Sequence, residues 1–459
     1  MRRITINNFR CYEKKSMDFR RGINLLIGDN SVGKTSLLRA CNLVMNAFFC
    51  GYSDENTRWK SAENNDFREI KNDDVVTDDL PINIAFELDK IDCPDIVLED
   101  GSVAPLHREV PLIEELGYPE FNIDKKSKKN ARNLTTGLKP LKTYASLLQK
   151  NSHAIIEGVA IQRNALPLFA YFTTEDIHTV RKFDKAKTKT YFKKYPQKPS
   201  FGYCESFDCK GLLDYWLKRM LVLKEAKKGE QEIECVRKAV VSVLGPTGCN
   251  IIKDMEVRTN DNEVFFMYCD GREVRSGLLS DGYRRLVSIV VDIAFRSALL
   301  NKVMYSDEAY KHTHGTVIID EIDEHLHPEL QVRILRALHG TFPKIQFIVS
   351  THAPLVMSSV ENSPENVVYK LEYKDGIYSH KELNTYGLDA NLLLKEQMKV
   401  SVRDIRVSML FDQIDVYLKE KDLVNAKTIL AELEMLTDPQ QPEIVRLRAI
   451  INRLELVGR

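Results

Sequence analysis

An α/β fold is what this 459-residue sequence predicts: a parallel-rich central sheet, flanking antiparallel strands, a helical lobe and a C-terminal helical tail. Three observations predict it. Apolar runs of the buried-strand type at Ile23 to Ile27 and Thr316 to Ile319 each end in a loop bearing glycines or carboxylates. Strand and helix patterns alternate from Leu286 to Ser350, as in βαβ units. From about Arg403 onward the apolar residues keep helical spacing alone.

Composition is that of a folded protein, 43% apolar and 29% charged, which excludes wholesale disorder. Lys+Arg and Asp+Glu both number 66, so no net field draws the molecule to nucleic acid or membrane, and such contacts must come from local patches. Apolar stretches such as Leu286 to Phe295 are interrupted by Ser288 and Asp292 and fall short of the ~20 residues a membrane helix needs. Asn7, Asn8 and Arg10 stand where a signal peptide would be apolar, so a cytoplasmic protein is expected. The nine cysteines, with no C-x-x-C pair, read as reduced core thiols.

The elements follow in order. Ile4 to Ile6 and Met17 to Phe19 alternate as edge strands, and Gly22 to Ile27 is a buried strand. Leu37, Leu38, Cys41, Val44, Met45 and Phe48 have helical spacing. Tyr52 to Leu80 is polar and acidic and reads as a surface excursion, followed by a strand at Ile82 to Leu88. Further insertions are expected at about 92–160, loop-rich from Asp92 to Lys142, and at 181–200. Leu166 to Phe172 returns to the sheet, Phe207 to Ala226 and Glu230 to Leu244 form a helical lobe at about 205–245, and Ile251 to Val257 with Val264 to Tyr268 form a hairpin. A helix at Leu286 to Leu300, a strand at Thr316 to Ile319, a helix at Glu329 to Leu338 and a strand at Gln346 to Ser350 complete a core domain of 1–400. Residues 401–459 form a three-helix region broken at Asp422 and at Asp438-Pro439.

The chemistry concentrates in four motifs. Gly28-Asp29-Asn30-Ser31-Val32-Gly33-Lys34-Thr35, followed by Ser36, is a complete G-x-x-x-x-G-K-[ST] loop between a strand and a helix. Its glycines let backbone amides turn inward around phosphates at a helix N-terminus. Lys34 is expected at the β- and γ-phosphates and Thr35 on Mg²⁺. The apolar strand Thr316 to Ile319 delivers Asp320 and Glu321 to the same crevice, Asp320 to the metal and Glu321 to the attacking water. The third motif, Leu279-Ser280-Asp281-Gly282-Tyr283-Arg284-Arg285-Leu286, opens a helix, where Ser280 and Gly282 offer a hydroxyl and amides to an anion or Ser280 serves only as N-cap. Fourth is Ser350-Thr351-His352-Ala353-Pro354 at a strand end.

The third motif resembles the ABC ATPase signature loop, usually L-S-G-G-Q, and Asp281 and Tyr283 depart from it as in the RecF, SMC and OLD branch. His352 looks like the switch histidine of that family, Thr316 to Glu321 resembles its Walker B strand, and Glu324-His325-Leu326-His327-Pro328 resembles the loop after Walker B on its dimer seam; a metal held by His325 and His327 is the alternative. The resemblance implies an ABC/RecF-type ATPase using ATP and Mg²⁺. Its catalytic residues are Glu321, Asp320 and His352, and Ser280 and Gly282 of one subunit close on nucleotide held by another, hence at least a dimer. A glutamine-loop residue stays open between Gln149 and Gln162.

Downstream of His352 the sequence has no D-x-D pair of the OLD nuclease kind, and no long coiled-coil arm interrupts it, so the chain is not expected to be a nuclease or a chromosome clamp. The layout resembles ATPase subunits of bacterial anti-phage systems that work with a nuclease in trans: the Septu type with an HNH partner, and next the PARIS type with a Toprim partner. The residues carrying this are Leu279 to Leu286, Asp320 to Pro328, Asn384 to Asn391 and the leucine-rich tail. A RecF-like repair clamp is the alternative, supported by Lys182, Lys185, Lys187, Lys189, Lys193, Lys194 and Lys198 interleaved with Phe183, Tyr191, Phe192 and Tyr195, and by a second run of Lys125, Lys126, Lys128, Lys129 and Arg132. A scaffold with a degenerate nucleotide site fits poorly, because Lys34, Asp320 and Glu321 are all present.

Overall fold

A computed structural model describes residues 1–68, 71–72, 75–76, 80–88, 96–97, 103–104, 120–128, 136–152, 154–156, 159–162, 164–174, 197–207, 212–398 and 403–457. The chain divides into two compact units, Met1–Gly387 and Leu388–Arg459.

A six-stranded sheet organises the first unit. Its spatial order is Leu168–Phe172, Gly315–Ile319, Ile345–Ser350, Ile23–Ile27, Val367–Lys374, Ile377–Leu383. The first five strands are mutually parallel and the last pairs antiparallel. Ile23–Ile27 and Ile345–Ser350 are buried along their whole length, which is why they read as largely apolar runs rather than alternating ones, with Asn24 and Gln346 as buried polar exceptions. Parallel pairing brings the carboxyl ends of Ile23–Ile27, Gly315–Ile319 and Ile345–Ser350 to one edge, where three of the four motifs begin. The edge hairpin Val367–Leu383 was not foreseen, although its two-residue Asp375-Gly376 turn, with φ of 52° and 82°, is a strong hairpin signal.

A second, antiparallel sheet runs Tyr12–Asp18, Arg3–Phe9, Ile82–Glu87, Glu120–Lys125. Here the strands alternate, and Ile4, Ile6, Ile82, Ile84, Phe86, Phe121 and Ile123 are the buried set. A third sheet joins Ile252–Arg258, Glu263–Tyr268 and the additional strand Glu273–Arg275, which feeds the third motif.

In the helical lobe, Leu213–Glu225 and Glu230–Leu244 pack on the long helix Asp281–Tyr305. Trp216 stacks on Phe295 with centroids 5.0 Å apart and donates its indole N–H to Asp292 at 2.6 Å. Arg296 clasps the same carboxylate and donates to the carbonyls of Gly202 and Cys204. Arg219 and Glu232 form a fully buried ion pair that Lys302 joins. Removing one member of such a pair strands a buried charge, so these pairs fix the register of the lobe on the long helix.

Three sequence expectations are corrected. The lobe's first helix starts at Leu213, and Phe207 instead packs edge-on to Phe49 and stacks on Phe169. The excursion after Tyr52 is not all surface: Tyr52, Ala62 and Phe67 are buried, and the buried Asp66 carboxylate is held by Arg10 and Arg39. The stretch 92–160 carries the strand Glu120–Lys125 and the helix Lys139–Asn151, whose Leu141, Ala145 and Leu148 face the core. Among the described residues no helix is long and apolar enough to cross a membrane.

The second unit contains helices Ile405–Lys419, Leu423–Leu436 and Pro442–Val457. Asp404 and Asp422 accept backbone N–H bonds at the first two N-termini, and Pro442 opens the third. Leu410, Ile414, Ala426, Leu430, Leu433, Ile444, Leu447 and Ile451 form one core among them. Arg406–Glu432, Lys427–Glu455 and Arg448–Glu434 bridge the helices at the surface.

Candidate nucleotide site

The loop Gly28 to Thr35 turns from the carboxyl end of Ile23–Ile27 into the helix Lys34–Asn46. Gly28, Ser31 and Gly33 have φ of 144°, 69° and 94°. A side chain at Gly28 would strike the Leu371 carbonyl at 2.5 Å, and one at Gly33 the Tyr12 hydroxyl at 2.4 Å, so both positions need glycine twice over. Tyr12 donates to the Gly33 carbonyl at 2.9 Å, tying the antiparallel sheet to the loop. Asp29, Asn30 and Ser31 are exposed, while Val32 is buried.

Lys34 is buried, and its ammonium donates to the carbonyls of Gly28 at 2.7 Å and Asp29 at 2.9 Å, folded over the loop it anchors. Desolvation lowers its pKa, opposed by the charges of Asp320, Glu321, Asp29 and Asp323. Three carboxylates of one loop therefore lie close enough to act on this ammonium.

A chain of side-chain hydrogen bonds joins the three strand ends. Thr35 Oγ1 donates to Asp320 Oδ2 at 3.1 Å, Ser350 Oγ donates to Asp320 Oδ1, and Glu321 N donates to Ser350 Oγ at 2.8 Å. Asp320 is nearly buried, with both oxygens engaged. Glu321 sits at φ 50°, a left-handed conformation that costs a non-glycine residue about 1–3 kcal/mol and recurs at functional loops. Thr351 Oγ1 and His352 N both donate to Asp323 Oδ1, at 2.5 and 3.4 Å, so Asp323 fixes the fourth motif against the second.

Ser280 occupies the N-cap position of Asp281–Tyr305 but makes no side-chain cap bond, and it is exposed. Gly282 lies against the loop after Glu321: a Cβ there would meet the His325 carbonyl at 2.3 Å. Among the described residues no hydrogen bond or ion pair joins Ser280 or Gly282 to Gly28–Thr35. Thus Lys34, Thr35, Asp320 and Glu321 converge within this chain, His352 is joined to them through its backbone N and Asp323, and the Ser280–Gly282 turn lies against the loop after Glu321.

Other candidates have structural partners. His327 Nδ1 accepts from Glu329 N as a helix cap, and His325 lies beside Glu324. Gln149 clamps the backbone of Ser53, and Gln162 donates to Asn301 and to the carbonyls of Asn164 and Leu300. Lys125, expected in a basic surface run, is buried and donates to the Ala62 carbonyl, and Lys198 pairs with Glu55 at 2.7 Å. Lys182, Lys185, Lys187, Lys189, Lys193 and Lys194 lie outside the described residues. Sequence reasoning quoted Ser350 and Arg285 without a role and passed over Tyr12 and Asp323, because their partners are 21 to 39 residues away and no local spacing reveals them.

The family described as "AAA ATPase domain" matches residues 1–215, and "AAA domain, putative AbiEii toxin, Type IV TA system" matches 179–358. "Retron Vc95 probable ATPase" of Vibrio cholerae serotype O1 biovar El Tor is 39% identical over 27% of this chain and 23% of its own. "Septu protein PtuA" of Bacillus mycoides (strain KBAB4) is 28% identical over 43% of this chain and 25% of its own. The alignments thus span about a quarter of these relatives' length. Among solved structures, an SMC head bound to the C-winged helix domain of ScpA aligns over 87% of this chain and 99% of its own at 15% identity and a TM-score of 0.43. Two AAA ATPase-type family models thus each match part of the chain, and it is similar in sequence to Septu PtuA and to the retron ATPases.

Proposed function

We propose that this chain binds and hydrolyses ATP with Mg²⁺ at the Gly28–Thr35 loop, as the ATPase subunit of an anti-phage defence complex whose nuclease is a separate subunit. The observation that carries the site is the run of hydrogen bonds from Thr35 through Asp320 to Ser350 and the Glu321 amide. The residues fit the nucleotide: two glycine-only positions, a buried lysine held over the loop, and a hydroxyl beside a carboxylate. Lys34 takes the β- and γ-phosphates, exchanging its carbonyl partners for phosphate oxygens. Gly28, Asp29, Asn30, Ser31, Val32, Gly33 and Ser36 shape the cradle around them. Thr35 and Asp320 hold Mg²⁺, which when bound neutralises charge on the phosphates. Glu321 orients and deprotonates the attacking water, and His352 contacts the γ-phosphate. Ser280, which is exposed, and Gly282 beside it close on nucleotide in a second copy, so the working state is at least a dimer.

The core, residues 1–400 in this reading, does the ATP chemistry, and 401–459 docks subunits or the nuclease. The chain itself is not the nuclease, and the partner is of the HNH kind. Similarity to Septu PtuA supports this reading, and the apolar side chains left exposed on the second unit support docking there. Purification from the native host with neighbouring genes intact, followed by mass spectrometry, tests it: a stoichiometric nuclease is expected. A protein that elutes alone, with ATPase stimulated by DNA, would replace the defence reading with a repair clamp.

A further inference from the structure

Arg285 lies one helical turn beyond Gly282, and its guanidinium is buried under the Glu321 loop of the same chain. Its Nη2 donates to two successive carbonyls, Asp320 at 2.7 Å and Glu321 at 2.9 Å, and its Nη1 donates to the Glu324 carboxylate. Its Nε is buried without an acceptor. Two carbonyls and one carboxylate, all on the loop after the Gly315–Ile319 strand, are the acceptors that hold the guanidinium in place. Directing two consecutive carbonyls at one nitrogen goes with the left-handed backbone of Glu321.

We propose that Arg285 is a positioning residue that couples the Ser280–Gly282 turn to Asp320 and Glu321 of its own chain, so that each subunit's hydrolysis senses nucleotide bound by its partner. This rests on the reading of Ser280 and Gly282 as contacts to the partner's nucleotide. Backbone contact at Gly282 and His325, together with the Arg285 fork, makes the start of the long helix and the loop from Asp320 to His325 one body. Contact between Ser280 and an anion therefore shifts or locks the carboxylate pair 35 residues downstream of Arg285. The coupling is reciprocal, because the same body joins the two ends in either direction.

The test uses the full chain with Arg285→Gln, Arg285→Lys, Glu324→Gln and the Arg285→Gln/Glu324→Gln pair. In hydrogen exchange without nucleotide, Arg285→Gln is expected to speed the amides of Glu321 to Leu326 at least about tenfold while those of the long helix stay protected. In ATP turnover, kcat falls about 10- to 100-fold, KM moves less than threefold and the Hill coefficient drops from above 1 to 1. Arg285→Lys restores part of kcat but not cooperativity, since an ammonium cannot fork to both carbonyls and Glu324, and the double variant is no worse than Arg285→Gln alone. Unchanged exchange in that loop, or undiminished kcat and cooperativity in Arg285→Gln, overturns the proposal. A parent chain that neither binds nor hydrolyses ATP overturns the ATPase reading instead, and the exchange result then decides alone whether Arg285 holds the loop.

Discussion

At the scale of single residues, the site separates holding from chemistry. Lys34 makes its present bonds to two loop carbonyls, which phosphate oxygens outcompete as charged acceptors. Lys34→Ala is therefore expected to weaken ATP binding by at least about 100-fold, from charge-assisted bonds worth ~1.5–3 kcal/mol each, measured by calorimetry. Glu321→Gln keeps the backbone bonds to Ser350 and Arg285, so binding stays intact while kcat falls about 10²- to 10⁴-fold. Normal turnover in both variants contradicts the assignment.

A second residue-scale case is Lys15, buried on Tyr12–Asp18, with its ammonium 3.0 Å from His380 Nδ1 and no carboxylate partner among its hydrogen bonds. Burial pushes its pKa down from the ordinary 10.5 to about 8. A base held below its unfolded value binds fewer protons when folded, so it destabilises fully below pH 8 and is relieved as pH rises from 8 toward 10.5. Lys15→Met is expected to raise stability by about 1–3 kcal/mol at pH 7, a gain that shrinks toward zero near pH 10.5 in urea melts. A pH-independent difference rules this account out.

At the scale of elements, legibility followed the range over which residues act. The Gly28–Thr35 loop and the Thr316 to Glu321 strand declare themselves because their chemistry and their backbone needs sit within eight residues. The lobe's first helix was placed early because Phe207, though apolar and in phase, is claimed by an aromatic cluster with Phe49 and Phe169. Burial of Asp66 was illegible for the same reason: an acidic residue in a polar stretch looks solvated until Arg10 and Arg39 arrive from other elements. The tail read correctly because its signal is periodic and its core is its own. Leu430, central in that core, is expected to cost about 2–5 kcal/mol on Leu430→Ala. Because the second unit is separately compact, the loss should appear as an earlier melting step with ATP binding unchanged.

At the scale of the whole molecule, the question is what the second unit presents outward. Ile405 is 70% exposed and Met409 59%, on one face of Ile405–Lys419, and Val416 lies in phase with them. None of the three belongs to the core formed by Leu410, Ile414 and Leu430, so a charge placed there leaves that packing alone. Surface substitutions of this kind usually change stability by less than about 0.5 kcal/mol. Ile405→Asp with Met409→Asp is therefore expected to leave the melting curve and the ATPase rate of the isolated chain in place. If this face docks a subunit or nuclease, burying two carboxylates in an apolar contact should weaken association by at least about 100-fold. Native mass spectrometry of material co-purified from the host reads both outcomes in one spectrum. Loss of the partner or of the higher assembly, with ATP binding retained, assigns docking to the Ile405 face. An unchanged assembly means that these exposed side chains are ordinary surface and that association runs through the ATPase core.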